Sequence, residues 1–353
     1  MDVNAIVAEF IGTENYVLTP VTDGLINTTY LLEDQDREQK FILQKINQNV
    51  FRQPEVIVNN HLMINELLRS NDYQFQIIEP VPSLTDKLLV KDADGQPWRM
   101  LSFVENSITF LTAPSLQTAF EAAKTFSYFL ATVNSGKLPE IKDSLPDFLN
   151  FEKRIKDYKD ALQNATPYLR ENAKDQIEIT NQLLSLPEQW IALEKSNRIP
   201  KRIIHADVKI SNILFDQNHR PLAVIDLDTM MISTVLYDFG TMIQSYTNTT
   251  QEDDGSARNN FNPEMYKAVK EGFLFHLKEK LTLEESAHLD YAAQTAIYIQ
   301  EIRFLTDYLN GSVYYSTKYP EHNLDRTKNQ LELLKGLREY LGATSEGSES
   351  LRV

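Results

Sequence analysis

The chain has 353 residues, 42% of them apolar and 24% charged, which is enough to bury a sizeable core and excludes fibrous and disordered classes. Its formal net charge of −15 sets long-range repulsion against nucleic acid and anionic membranes as partners. Cysteine is absent, so disulfides and thiolate metal sites are excluded. No apolar run is long enough to span a bilayer, and the acidic start, Met1-Asp2-Val3-Asn4-Ala5, lacks a signal core, so a cytoplasmic location is expected.

In chain order, Val3 to Phe10 reads as a short helix. Asp23-Gly24-Leu25-Ile26-Asn27-Thr28-Thr29 is a polar turn before the apolar Tyr30-Leu31-Leu32. After a charged turn at 33–39, the run Lys40-Phe41-Ile42-Leu43-Gln44-Lys45-Ile46 reads as a strand. Residues 54–70 fit a helix, because Val56, Ile57, Asn60, Met63, Ile64 and Leu67 recur at spacings of three and four. Leu88-Leu89-Val90, Asp92-Ala93-Asp94-Gly95 and Trp98-Arg99-Met100-Leu101 form a hairpin pattern. Beyond Glu105 the pattern turns helical. Pro114-Ser115 opens a helix with Leu116, Phe120, Ala123, Phe126, Leu130 and Val133 on one stripe, and 148–163 and 171–195 are further, charge-rich helices. The reading is an α+β chain: a smaller lobe at 1–105, a larger mainly helical lobe at 106–341, and a tail at 342–353 expected to lack order. Within the larger lobe, 247–262 reads as a polar loop, either a mobile lid or simply exposed. Thr282-Leu283-Glu284-Glu285 is a capping box expected to open a long helix toward Leu309, and 325–341 is the last helix.

The chemistry concentrates in Ile203-Ile204-His205-Ala206-Asp207-Val208-Lys209-Ile210-Ser211-Asn212-Ile213-Leu214-Phe215 and, after a polar turn at 216–221, Ala223-Val224-Ile225-Asp226-Leu227-Asp228. Apolar runs flank a loop that brings together carboxylates, an amide and an ammonium. The step from Asp207 to Asn212 is that of a kinase catalytic loop, an Asp followed by an Asn five positions on. By those rules Asp207 takes or orients the proton of an attacking hydroxyl. Asn212 and Asp226 supply the hard oxygen ligands that Mg²⁺ favours, and Lys209 balances charge on the transferring phosphoryl group. The negative net charge does not oppose ATP, because Mg²⁺ and local cations can reverse the sign within a cleft.

Ile204-His205-Ala206-Asp207 through Asn212-Ile213-Leu214, then Val224-Ile225-Asp226, resembles the signature of the aminoglycoside phosphotransferase and choline kinase superfamily. Asp23 to Tyr30, Phe41 to Gln44, Ile225 to Thr229, Tyr237-Asp238-Phe239-Gly240 and Arg303 to Leu305 through Tyr319 to Asn323 make it most similar to the N-acetylhexosamine 1-kinases. The resemblance implies a protein-kinase-like bilobal fold and transfer from ATP, with Mg²⁺, to a small alcohol or sugar. It places Gly24, Asn27 and Thr28 in the loop covering the phosphates, and Phe103, Val104 and Glu105 at the adenine hinge. It places Asp207, Asp226, Thr229, Arg303 and Tyr314 at the acceptor, with a surface ion pair as the alternative for Arg303 and aromatic packing for Tyr314. His205 and Asp238 would support the catalytic loop, and Asp228 either supports the metal or caps a turn.

Two positions depart from the family pattern. The strand lysine that pairs the nucleotide phosphates in many kinases aligns with Gln44, so either Gln44 acts weakly there or Lys45, one residue on, takes the role. Leu25 stands where the hexosamine kinases are expected to place a histidine against the sugar, removing a hydrogen bond worth about 1 kcal/mol. The acceptor therefore stays open between an N-acetylhexosamine, another sugar, choline, homoserine, methylthioribose or an aminoglycoside. A nucleotide-binding pseudokinase is the reading from a different class.

Overall fold

The computed structural model describes residues 3–21 and 26–349, so Gly24 and Leu25 of the predicted turn lie outside the described residues. Helix α1 (Val3–Ile11) precedes an antiparallel sheet built from β1 (Tyr16–Val21), β2 (Thr28–Asp34) and β3 (Gln39–Lys45). Helix α2 (Pro54–Ser70) follows, with proline in its first turn, where a missing N–H costs nothing. Strands β4 (Pro80–Val81), β5 (Val90–Lys91) and β6 (Pro97–Ser102) complete the sheet in the order β1-β2-β3-β6-β4, with β5 on β6. The amphipathic α1 covers one face: Ile6, Val7, Phe10 and Ile11 are buried with Leu32, Leu43, Trp98 and Met100. The predicted β5–β6 hairpin is present, and Gly95 at its turn has φ of 77°, which only glycine adopts freely.

The larger lobe is helical around a few short strands. Its helices begin with α3 (Leu116–Val133), α4 (Phe151–Asn164), α5 (Pro167–Asn172), α6 (Lys174–Gln182) and α7 (Ser185–Lys195). Ser115 caps α3 as expected, accepting from the Thr118 N–H. Strands β7 (Arg202–Ile204), β8 (Ile213–Phe215), β9 (Pro221–Val224) and β10 (Met231–Ser233) form two pairs, β7 with β10 and β8 with β9. Then come α8 (Val235–Tyr246), α9 (Pro263–Leu277), α10 (Leu283–Ala287), α11 (Leu289–Leu309) and α12 (His322–Glu349). One apolar core joins α3, α8, α9 and α11 to the strands of the catalytic segment. No helix among the described residues is long and apolar enough to cross a membrane. The molecule has the protein-kinase-like bilobal fold.

Four details differ from the sequence reading. The Thr282 capping box is made, but it opens only the short α10, because the chain turns at His288 before α11 starts. The 171–195 segment is three helices rather than one. Helix α12 runs past the expected end at 341 to Glu349, since an isolated glycine such as Gly342 costs a helix only about 1 kcal/mol; 350–353 lie outside the described residues. The 247–262 loop is pinned rather than merely exposed. Asn248 and Asn260 both donate to Asn329 of α12, and Asn260 is fully buried.

Candidate active site

The catalytic segment is held from below by Asp238, in the first turn of α8. Ala206, the residue before Asp207, has φ of 63°, a strained left-handed conformation for a residue with a side chain. That turn aims the N–H groups of His205 and Ala206 at the two oxygens of Asp238, each at 2.8 Å. Burial pushes the Asp238 carboxyl up to about 7, against the pull of those two donors. His205 is fully buried beside the Phe126 ring. Its Nδ1 accepts the Asp207 N–H at 3.3 Å, so Nε2 carries the proton toward the Ile225 carbonyl at 3.0 Å. Burial holds this imidazole below its ordinary pKa, and hence neutral. The loop is therefore fixed by hydrogen bonds that leave the Asp207 side chain free to face outward.

Asp207 Oδ2 receives Lys209 Nζ at 2.8 Å and Asn212 Nδ2 at 2.9 Å. Burial pulls the Lys209 pKa down, but the Asp207 carboxylate outweighs it and holds the ammonium above its usual value. Ile225 N–H donates to the Asn212 carbonyl at 2.9 Å, which ties the β8–β9 hairpin together just before Asp226. Asp226 has φ of 62°, a second left-handed residue at the site. Its side chain keeps exposed surface yet is crowded by protein atoms. That desolvation, then the carboxylates of Asp228 and Asp207, push it up to about 7, with Lys209 and Arg99 working against them. Accumulated carboxylate repulsion is what a cation would relieve. Among the described residues there is no closed cage of three His, Cys, Asp or Glu side chains. The amide of Asn212 and the carboxylate of Asp226 instead make a sparse oxygen set that leaves positions for phosphate oxygens, and this fits Mg²⁺.

Asp228 does not continue a strand beside Asp226. Strand β9 ends at Val224, and Leu227–Thr229 form one turn of 3-10 helix, so the two carboxylates diverge. Instead Asp228 takes Arg99 in a buried bidentate pair, Nη1 to Oδ1 at 2.7 Å and Nη2 to Oδ2 at 2.8 Å. Asn27 Nδ2 adds a third bond at 3.0 Å. Arg99 lies on β6 directly across from Gln44 on β3, and its Nε and Nη2 donate to Gln44 Oε1 at 2.9 and 2.7 Å. Gln44 in turn donates to Thr29 at 3.1 Å. Lys45 is turned the other way, its charge acting on Asp92, as strand alternation requires. Arg99 was not singled out from the sequence. An arginine set between Trp98 and Met100 in an otherwise apolar strand was the available signal.

A model of the phosphotransferase enzyme family, APH, matches residues 17–271, most of the chain, including the catalytic loop and Asp238. The chain belongs to this family. It is a small-molecule kinase, a phosphotransferase acting on a hydroxyl acceptor. Among solved structures, an aminoglycoside phosphotransferase from Alicyclobacillus acidocaldarius is 14% identical and superposes with a TM-score of 0.64, covering 97% of each chain. A microcompartment-associated aminopropanol kinase is 19% identical with a TM-score of 0.63, covering 97% of this chain and 98% of its own. The choline kinase of Streptococcus pneumoniae is 16% identical with a TM-score of 0.56, covering 96% of this chain and 99% of its own. At such identities the likeness establishes the fold.

In this phosphotransferase the segment Phe103–Glu105 leaves β6 directly, and Val104 is buried against Ala223 beneath the β8–β9 hairpin. Thr28 opens β2 opposite Lys45, and Asn27 is already engaged by Asp228 and by the Asn47 N–H. Thr229, expected at the sugar, is 7% exposed and spends its hydroxyl on the His205 carbonyl at 2.8 Å. It braces the catalytic loop. Arg303, late in α11, makes no ion pair among the described residues, which removes the surface-pair alternative. Its guanidinium lies over Phe148 and Tyr315, 5.5 and 5.8 Å from the ring centres. Arg303, Tyr314 and Tyr315 line one cavity, and Tyr314 is 73% exposed.

Proposed function

We propose that this protein transfers the γ-phosphoryl group of ATP to a hydroxyl of a sugar, with the anomeric hydroxyl of an N-acetylhexosamine as the leading acceptor. The observation that carries this reading is the shared position of Asp207, Lys209 and Asn212 on a loop locked by Asp238. Asp207 accepts the proton of the acceptor hydroxyl as its oxygen bonds to phosphorus and the bond to the ADP leaving group breaks. Lys209, held against Asp207, is placed to share charge with the phosphoryl oxygens. Asn212 and Asp226 would hold Mg²⁺, which when bound neutralises phosphate charge. Phe103, Val104 and Glu105 line the adenine side, and Gln44 with Arg99 stands where other kinases keep a strand lysine.

An amino alcohol is the second acceptor class, because solved relatives of this fold include proteins described as aminopropanol and choline kinases and because Leu25 departs from the hexosamine pattern. The test is phosphate transfer from Mg-ATP across a panel of N-acetylated and plain hexoses, choline, homoserine, methylthioribose and an aminoglycoside. Transfer to an N-acetylhexosamine at its reducing end, abolished by chelating Mg²⁺, is the expected result. Nucleotide binding without transfer to any acceptor would make the protein a pseudokinase.

A further inference from the structure

We propose that Arg154 and Arg303 together read the acceptor: they hold an oxygen-bearing substituent, a carbonyl or carboxylate, and reject an acceptor that carries a free ammonium. This rests on the kinase reading above and sharpens its substrate class. The two side chains line one cavity of about 320 Å³ with Ile302, Asp307, Tyr314 and Tyr315. Arg303 lies over Phe148, whose ring packs edge-on against Tyr237 with centroids 6.2 Å apart, and Tyr237 precedes the Asp238 that holds the catalytic loop.

The charges around this cavity are unevenly compensated. Three carboxylates lie on its wall, and each already has partners. Asp157 is paired with Lys153 at 2.8 Å and Asp160 with Lys156 at 2.6 Å. Asp307 accepts the N–H groups of Val313, Tyr314 and Tyr315 at 3.0, 2.8 and 3.0 Å, and Asn323 Nδ2 at 2.8 Å. Neither arginine has a carboxylate in contact among the described residues. Arg154 donates through Nη2 to the carbonyls of Asp147 and Phe148 at 3.4 and 3.2 Å, and its Nε is buried with no partner at all. Arg303 has neutral partners, Gln300 at 3.3 Å and the Tyr314 hydroxyl; Glu252 lies nearby but bonds to Gln300 rather than to the guanidinium. Burial, then the charge of Arg303, draws the Arg154 pKa down, whereas Arg303 is held above its usual value, the neighbouring tyrosines outweighing its burial.

A buried guanidinium N–H without an acceptor costs free energy until a ligand supplies one. An acetamide carbonyl or a carboxylate does so; an ammonium adds a third positive charge to the same space. The arginines thus distinguish acceptors by the substituent remote from the reacting hydroxyl.

The experiment compares N-acetylglucosamine, glucuronate and glucosamine, at a pH where the amine is charged, together with glycerate, glycerol and ethanolamine. The wild-type protein, Arg154→Lys, Arg154→Gln and Arg154→Glu are assayed side by side, with thermal melts to establish folding. Wild-type kcat/KM for N-acetylglucosamine or glucuronate should exceed that for glucosamine by roughly a hundredfold, the scale of a misplaced like charge. Arg154→Glu should shrink that ratio about tenfold or more while the KM for ATP holds, and Arg154→Lys should keep most of it. Equal use of glucosamine, or a ratio unmoved in a folded Arg154→Glu protein, would overturn the inference and leave the sugar reading intact. If no sugar is phosphorylated but glycerate is preferred to ethanolamine, the sugar reading fails and the arginine assignment stands. Preference for ethanolamine, or transfer to nothing while ATP still binds, overturns both.

Discussion

At the scale of single residues, the site is a small carboxylate chemistry supported by neutral donors. Asp207→Asn should lower kcat by about 10²–10⁴, the usual worth of a general base, with ATP affinity largely kept. Steady-state kinetics beside a nucleotide titration would show this, and unchanged turnover would remove Asp207 from the mechanism. Asp238→Ala removes the acceptor of two buried N–H groups, and each orphaned group costs about 1–3 kcal/mol. Chemical denaturation should register that loss together with a fall in kcat, because the loop that positions Asp207 would relax. Much of this was legible in the sequence. Asp207, Lys209 and Asn212 sit within six residues of chain, so their spacing fixes their neighbourhood. Asp228 and Arg99 were less readable, because they meet across the two lobes and no local pattern encodes a contact between residues 99 and 228; Thr229 was hidden because its partner, the His205 carbonyl, is distant in sequence.

At the scale of elements, α8 and α11 determine how firmly the site is mounted. Gly240 on α8 packs so closely on α11 that an added Cβ would lie 2.5 Å from the Ala292 carbonyl. Gly240→Ala should therefore destabilise the fold by about 1–3 kcal/mol or more, as overpacking does, readable as a lowered melting temperature. Helix α11 also carries Glu301, which is fully buried. Its Oε1 accepts the Thr180 hydroxyl at 2.9 Å and its Oε2 has no partner. Desolvation raises its pKa from 4.5 to about 8. The folded state thus holds this proton more tightly than the unfolded chain. The stability so contributed is whole below about 4.5 and is lost as pH rises through about 8. Glu301→Gln should flatten that decline, which amounts to a few kcal/mol, roughly, in denaturant midpoints taken at either end of the window. Periodicity located α2, α3 and the β5–β6 hairpin well, since each buries a face with a regular repeat. The break near 183 had a signal in Pro187, which cannot donate to the Leu183 carbonyl, whereas those near 173 and 288 carry no adjacent glycine or proline to mark them.

At the scale of the whole molecule, Arg99 is a bolt between the lobes. It leaves the sheet on β6 and ends on Asp228, two residues past Asp226, with both side chains buried at 3% and 2% exposure. Arg99→Met would strand a buried carboxylate, at a cost of about 3–5 kcal/mol, whereas pairing it with Asp228→Leu should recover much of that stability. A double-mutant cycle in urea decides this; additive losses would mean that the pair contributes nothing jointly. The interlocking has a consequence for anyone who wishes to rebuild the ancestral-looking strand lysine here. Gln44→Lys alone would drive a second cation against the guanidinium it now cradles. Such a change succeeds only when positions 44, 99 and 228 are rewritten together, so this corner of the enzyme admits wholesale replacement and resists piecemeal drift.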